Sequence, residues 1–172
     1  ATAIRSRHPG TAAPVLLGIA NGGITLARRL AQEMARISKP KSPIHAGVID
    51  ISFHRDDIHR NPIPKEFAPT HIPVDVNGAT VVLVDDVLFT GRTVKAALDE
   101  LFDHGRPASV ELAVLVDRDG RRMPVAPDYC GLTLKAGDAW KVSVSLDPDN
   151  PAKDCIRVLP VGRPSAPPFK HR

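Results

Sequence analysis

Hydrophobic positions recur along this chain with two alternating periods, one of strands and one of helices. Residues 15–19 (VLLGI) form a short apolar run, the pattern of a strand buried on both faces. Ile24, Ala27, Leu30, Ala31 and Met34 follow at helical spacing and predict a helix over 24–37. Ile49, Ile51 and Phe53 share one face of a half-buried strand over 48–53. Residues 54–71 are polar, broken by proline and long, and loops of that length in compact domains usually serve function. Residues 72–76 and 80–84 flank Asn77-Gly78, which predicts either a hairpin or a closed loop. Val94, Ala97, Leu98, Leu101 and Phe102 fall at i, i+3, i+4, i+7 and i+8, the plainest helix in the chain, and Gly105 is placed to end it. Residues 109–116 (SVELAVLV) read as a central strand. Val142, Val144 and Leu146 alternate, and 155–159 can pair back on them as a small antiparallel appendage. Strands alternating with helices predict an α/β domain with a mostly parallel sheet.

Composition narrows the class. The 172 residues suit one domain, and 42% hydrophobic with 24% charged residues argues against intrinsic disorder. No apolar run approaches the roughly 18 residues of a membrane span. Two cysteines, Cys130 and Cys155, exclude a disulfide framework and fit a reducing compartment, so a cytoplasmic location is expected. Residues 1–14 are read as an N-terminal extension: they lack the apolar core of a secretory signal, and their arginines without acids resemble a transit peptide too short to be one. The domain is expected over 15–159, followed by a Pro-rich, disordered tail over 160–172. The sequence pI near 9.3 invites a nucleic-acid reading. Yet residues 1–32 and 160–172 hold seven bases and no acid, leaving a net charge of −3 over 33–159. The basic excess therefore belongs to the ends, which is weaker grounds for nucleic acid than a basic face.

The chemistry concentrates in residues 81–93, VVLVDDVLFTGRT. An apolar strand is followed by two adjacent acids, a Thr-Gly-Arg-Thr loop and an amphipathic helix. In an open α/β sheet such a strand-to-helix turn lies at the carboxyl edge, where ligands bind. The helix start offers N–H groups and the positive end of the dipole to a phosphate. Gly91 lets the backbone approach it, and Thr90 and Thr93 add hydroxyls. Asp85 and Asp86 suit hydrogen bonds from a sugar diol or a hydrated Mg²⁺. The combination describes a site for a ribose 5-phosphate; the bland alternative is a pair of solvated acids and a threonine cap.

These residues resemble the phosphoribosyl-pyrophosphate signature of type I phosphoribosyltransferases. The resemblance is closest to the pyrimidine-operon attenuation regulators that also act as uracil phosphoribosyltransferases. Gly105-Arg106-Pro107, the LAVLVDR strand over 112–118, the DI..F.RDD-like element over 50–57, IPVD over 72–75, and 124–131 are similar to that family. It implies a Rossmann-like type I phosphoribosyltransferase fold, a parallel sheet flanked by helices with a small C-terminal hood. It also implies a reaction in which uracil and phosphoribosyl pyrophosphate give UMP and pyrophosphate, with Mg²⁺ held through substrate and water and by no direct protein ligand. By resemblance Asp85 and Asp86 hold the ribose diol. Val87, Leu88, Phe89, Thr90, Gly91, Arg92 and Thr93 cradle the 5-phosphate, and Asn21, Gly22 and Gly23 the pyrophosphate. Arg118 and Val142 shape the base pocket, and Arg55, with Asp56 and Asp57, belongs to a flap. Purine-specific relatives carry an acid where this chain has Phe89, which favours a pyrimidine.

Three segments depart from the family pattern. Gly22 replaces an arginine in the first loop, 119–123 (DGRRM) replaces GHREL, and 131–137 replaces GKN.PTS. The last two help the family to bind RNA, and the helix that precedes its first strand is not expected here. Catalysis therefore transfers better than regulation, with UMP-responsive binding of pyrimidine-leader RNA as the alternative and loss of turnover as a third reading. A homodimer or higher homo-oligomer is what the resemblance implies, with no membrane partner. Arg121 and Arg122 read as solvated charge. The seven histidines show no metal-ligand spacing, and no nucleophile-elbow sequence supports a hydrolase.

Overall fold

The computed structural model describes residues 1–9, 13–38, 43–54 and 69–161. Of the tail expected over 160–172, Pro160 belongs instead to a strand and 162–172 lie outside the described residues, as does most of the 54–71 segment, Arg55, Asp56 and Asp57 included. Five parallel strands form one sheet: β1 (Val15–Ile19), β2 (Ala46–Ile49), β3 (Thr80–Leu88), β4 (Ser109–Arg118) and β5 (Tyr129–Leu134). Their order is β2-β1-β3-β4-β5, with Leu17 set between Gly47 and Leu83. The order reverses between β1 and β3, and the carboxyl ends of these two strands are where such a sheet opens a crevice.

Alternation along the strands sends side chains to two cores. Leu16, Val82, Val84 and Ala113 meet Ala27, Ala31 and Met34 of helix α2 (Gly22–Ser38). Leu17, Val81, Leu83 and Leu112 meet Val94, Ala97 and Leu101 of helix α3 (Arg92–His104). The helices therefore cover opposite faces, as the apolar spacing of each predicts. Past β5 the chain forms the antiparallel pair β6 (Trp140–Ser145) and β7 (Cys155–Pro160), the expected appendage. Arg29 of α2 anchors it through the Asp154 carboxylate and the Asp147 carbonyl.

Four local expectations change. Residues 2–7 form a short helix, α1 (Thr2–Arg7), ahead of β1. Its buried Ile4 joins the α2 core, and Arg7 and His8 reach Glu111 at 3.3 and 2.9 Å, so tertiary contacts hold a helix too short to show a period. β2 stops at Ile49 because the Asp50 carboxylate accepts from the Ser52 N–H and hydroxyl, turning the chain and leaving Phe53 83% exposed. Residues 72–76 do not pair as a hairpin; Asp75 accepts from the Asn77 N–H, Gly78 takes φ +70°, and the turn feeds β3. β5 escapes the sequence pattern because it is an edge strand with four consecutive exposed positions.

Replacing Ile4 by alanine should lower stability to urea by about 2 kcal/mol, the usual cost of a buried aliphatic truncation. An unchanged midpoint would mean that α1 is not part of the cooperative unit.

Candidate active site

β3 does not end before the acids. It continues through them, pairing Asp85 with Val114, Val87 with Val116 and Leu88 with Asp117. The sheet thus holds Asp85, which is 5% exposed, and its Oδ1 accepts from the Asp86 N–H at 2.9 Å. Burial, and then the Asp86 charge, push the Asp85 carboxyl well above its usual range. Burial also raises Asp86.

The β1–α2 loop closes against this pair. A Cβ on Gly22 would stand 2.6 Å from either Asp86 carboxylate oxygen, and one on Gly23 would be driven into the Val84 carbonyl. Gly18 is equally constrained: its Cβ would lie 2.7 Å from the Gly23 carbonyl. The Ala20–Asn21 peptide is cis, and Asn21 is exposed beside it. A side chain at 22 would have to shift the Asp86 carboxylate; with glycine there, the loop presents backbone to Asp86.

The β3–α3 loop supplies the other half. Gly91 caps α3 with φ +91° and no side-chain cap, and a Cβ there would lie 2.9 Å from that of Met123. Thr90 Oγ1 accepts from the Arg92 N–H at 3.3 Å, but Thr90 stands one residue before the cap, so the alternative of a threonine cap does not hold. The Thr90 carbonyl accepts from the Arg122 and Met123 N–H groups, both at 3.0 Å. Val87 and Thr90 are half-buried, Leu88 is buried, and Arg92 and Thr93 are exposed at the helix start.

Arg118 is more deeply engaged than a ligand-facing cation. Only 4% exposed, it stacks 3.9 Å over the Phe89 ring and donates to the Trp140 and Gly137 carbonyls at 2.7 and 2.8 Å. It fixes Phe89 and the entrance to β6, where Val142 is buried and the strand packs on β3. Asp119 clips the same segment by accepting from the Ala136 and Gly137 N–H groups, and these bonds hold its carboxyl below the usual range.

Arg121 overturns the solvated-charge reading. It donates to the Val125 and Phe89 carbonyls and pairs with Asp117, tying the β3–α3 loop to β4. No sequence period marks it, because its partners are backbone oxygens brought near only by the fold. Arg55 lies outside the described residues.

Two adjacent carboxylates raised by burial are a natural counterpart to sugar hydroxyls or a hydrated cation, so the residues fit Mg²⁺ held through substrate and water. Among the described residues no helix is long and apolar enough to cross a membrane.

The strand order, the acid pair and the two glycine loops define a nucleotide-type crevice at the reversal of the sheet. Residues 2–149 match the family model described as phosphoribosyl transferase domain, and the chain belongs to that family: it is a phosphoribosyltransferase. Among curated proteins it is similar to Bifunctional protein PyrR 1 of Lactiplantibacillus plantarum, 46% identical over 146 residues, 84% of this chain and 80% of that protein. Bifunctional protein PyrR of Streptomyces coelicolor is 46% identical over 165 residues, 95% of this chain and 82% of that one. Among solved structures, a purine phosphoribosyltransferase from Pyrococcus horikoshii aligns with TM-score 0.54 and 28% identity, over 77% of this chain and 78% of that one. A Trypanosoma cruzi hypoxanthine phosphoribosyl transferase reaches TM-score 0.62 at 20% identity, over 92% and 80%, a likeness of fold.

The raised acid pair gives a signed prediction. A carboxyl raised in the folded state favours folding most below its unfolded value, and that contribution is lost as pH rises through the folded value. Asp85→Asn should therefore stabilise the free protein near neutral pH by about 0.5–2 kcal/mol while removing ligand binding. Thermal unfolding without ligand checks the first part, and a fall in the midpoint would show that the buried charge is compensated in the free protein.

Proposed function

We propose that this chain transfers the 5-phosphoribosyl group of phosphoribosyl pyrophosphate to uracil, giving UMP and pyrophosphate in pyrimidine salvage in the cytoplasm. The observation that carries the reading is the Asp85–Asp86 pair near the end of β3, Asp85 buried and Asp86 half-buried, with the Gly22 backbone packed on the Asp86 carboxylate and the Gly91-capped start of α3 following in the chain. The similarity to bifunctional PyrR proteins supports the pyrimidine, as does Phe89, an aromatic ring at the position where an acid would favour a purine.

In this mechanism the C1–O bond to pyrophosphate breaks as the C1–N bond to uracil forms, and the uracil N–H proton is released. Asp85 and Asp86 accept the two ribose hydroxyls and balance positive charge developing at the anomeric centre. The Thr90–Thr93 backbone and the α3 dipole hold the 5-phosphate, and the Asn21–Gly23 backbone meets the leaving pyrophosphate. Asp85 and Asp86 would hold Mg²⁺ through substrate and water, and it would supply positive charge to the leaving group. Phe89, set by Arg118, lies flat beside the base, with Val142 behind the hood entrance. The protein's main contribution is position and charge complementarity.

The second reading is a regulator that binds pyrimidine-leader RNA in response to UMP, favoured by the word bifunctional in the names of similar proteins. Such a role goes with a homodimer or higher homo-oligomer.

Radiolabelled uracil should convert to UMP with phosphoribosyl pyrophosphate and Mg²⁺, while hypoxanthine, guanine and orotate should not react. The Asp85→Asn/Asp86→Asn variant should lose about 10²–10³-fold in kcat/KM. Turnover on a purine, or full activity in that variant, would sink the proposal. UMP binding without turnover on any base would turn the reading to the regulator, with RNA retardation in the presence and absence of UMP as its measurement.

A further inference from the structure

We propose that His54, Glu100 and Asp103 form a site for a transition-metal dication of the zinc class, separate from the acid pair at the end of β3. His54 follows the Asp50 turn, while Glu100 and Asp103 stand one turn apart near the C-terminal end of α3. Their ligand atoms lie within 4.8 Å of one another. His54 Nε2 is 3.0 Å from Glu100 Oε2 and 3.5 Å from Asp103 Oδ2. A tetrahedral cation with bonds of about 2.0–2.2 Å holds its ligands roughly 3.3–3.6 Å apart, so both separations need only small adjustment to accept one.

The donor inventory points the same way. Two carboxylates converge on one imidazole nitrogen, which carries at most one proton and cannot serve both. A cation in their midst satisfies all three at once. Glu100 is already oriented for this: Oε1 accepts from the Thr70 hydroxyl at 2.6 Å and meets His104 Nε2 at 3.2 Å, leaving Oε2 toward His54. Such outer partners fix a ligating carboxylate. Burial alone would raise the Glu100 carboxyl, but Thr70, His104 and His54 outweigh it and hold it ionised below its usual range. One imidazole with two carboxylates favours zinc or cobalt over magnesium, which prefers an all-oxygen shell. Asp103 is exposed, so the site is open to entry from solvent.

The site has a structural consequence. Thr70 Oγ1 also accepts from the Asp50 N–H at 2.9 Å. The chain on both sides of residues 55–68 therefore already meets at Glu100, and a cation would fasten His54 to α3, whose other end carries the Gly91 loop.

The test is calorimetric titration of the full chain with Zn²⁺ in a Cys130→Ser/Cys155→Ser background, which removes competing thiols. One Zn²⁺ per chain should bind and raise the thermal midpoint, and Mg²⁺ at equal concentration should not displace it. His54→Ala and Asp103→Asn should each weaken this site roughly tenfold or more. Circular dichroism of the zinc-free variants checks folding; Asp103 is exposed, so its variant decides the matter if His54→Ala does not fold. Zinc bound with unchanged affinity and stoichiometry by Asp103→Asn, no zinc bound at all, or equal competition by Mg²⁺ would each overturn the proposal.

Discussion

The site depends on how closely the backbone at the start of α2 approaches the end of β3. Gly18, Gly22 and Gly23 leave no room for a Cβ: the first faces the Gly23 carbonyl, the second the Asp86 carboxylate, the third the Val84 carbonyl. This contact presses the β1–α2 loop against the acid pair, so that two loops far apart in sequence become two walls of one crevice. The reversal of strand order between β1 and β3 supplies the opening, and the glycines decide how narrow it is. An arginine at position 22 would have to displace the Asp86 side chain. Gly22 thus gives the loop a close fit against the Asp86 carboxylate.

That closeness has an electrostatic consequence. Strand pairing carries Asp85 into the sheet, where burial disfavours its charge, and Asp86 adds repulsion. Hydroxyl donors or a cation brought to this pair favour the ionised form of both carboxyls. Struts brace the neighbouring Phe89. Arg121 ties the Phe89 carbonyl to Asp117, Arg118 ties the Phe89 ring to the chain before β6, and Asp119 holds the same chain from its N–H side. Phe89 is thus fixed by its carbonyl and by its ring face.

What could be read from the sequence was what repeats or what is local. The helical periods of α2 and α3, the apolar runs of β1, β3 and β4, and the contiguous signature over 81–93 are all properties of neighbouring residues. The alternating 142–146 and 155–159 runs likewise gave the appendage. Features set by distant partners were not legible. α1 stands on Ile4 and on contacts to Glu111 more than a hundred residues away. β5 is an exposed edge with no buried face to imprint a pattern, and β2 ends early because one Asp side chain captures a turn. The same holds for Arg121, whose partners are mostly carbonyls, and for His54, whose fellow ligands lie on a helix some fifty positions on.

The arginines also bear on which of the two functional readings the body of the protein favours. A pI near 9.3 suggests a surface prepared for nucleic acid, but many basic groups are committed inside the fold. Arg7 pairs with Glu111 and Asp128, Arg29 with Asp154, Arg36 with Glu33 and Arg121 with Asp117. Arg118 is buried against carbonyls and a ring. A guanidinium with its donors spent in this way positions other groups and has little left for a phosphate backbone. Of these, Arg118 and Arg121 brace the β3–α3 loop and Arg29 the appendage. Binding of RNA would have to draw instead on exposed bases such as Arg28 on α2, Arg122 between β4 and β5, and Lys135 between β5 and β6.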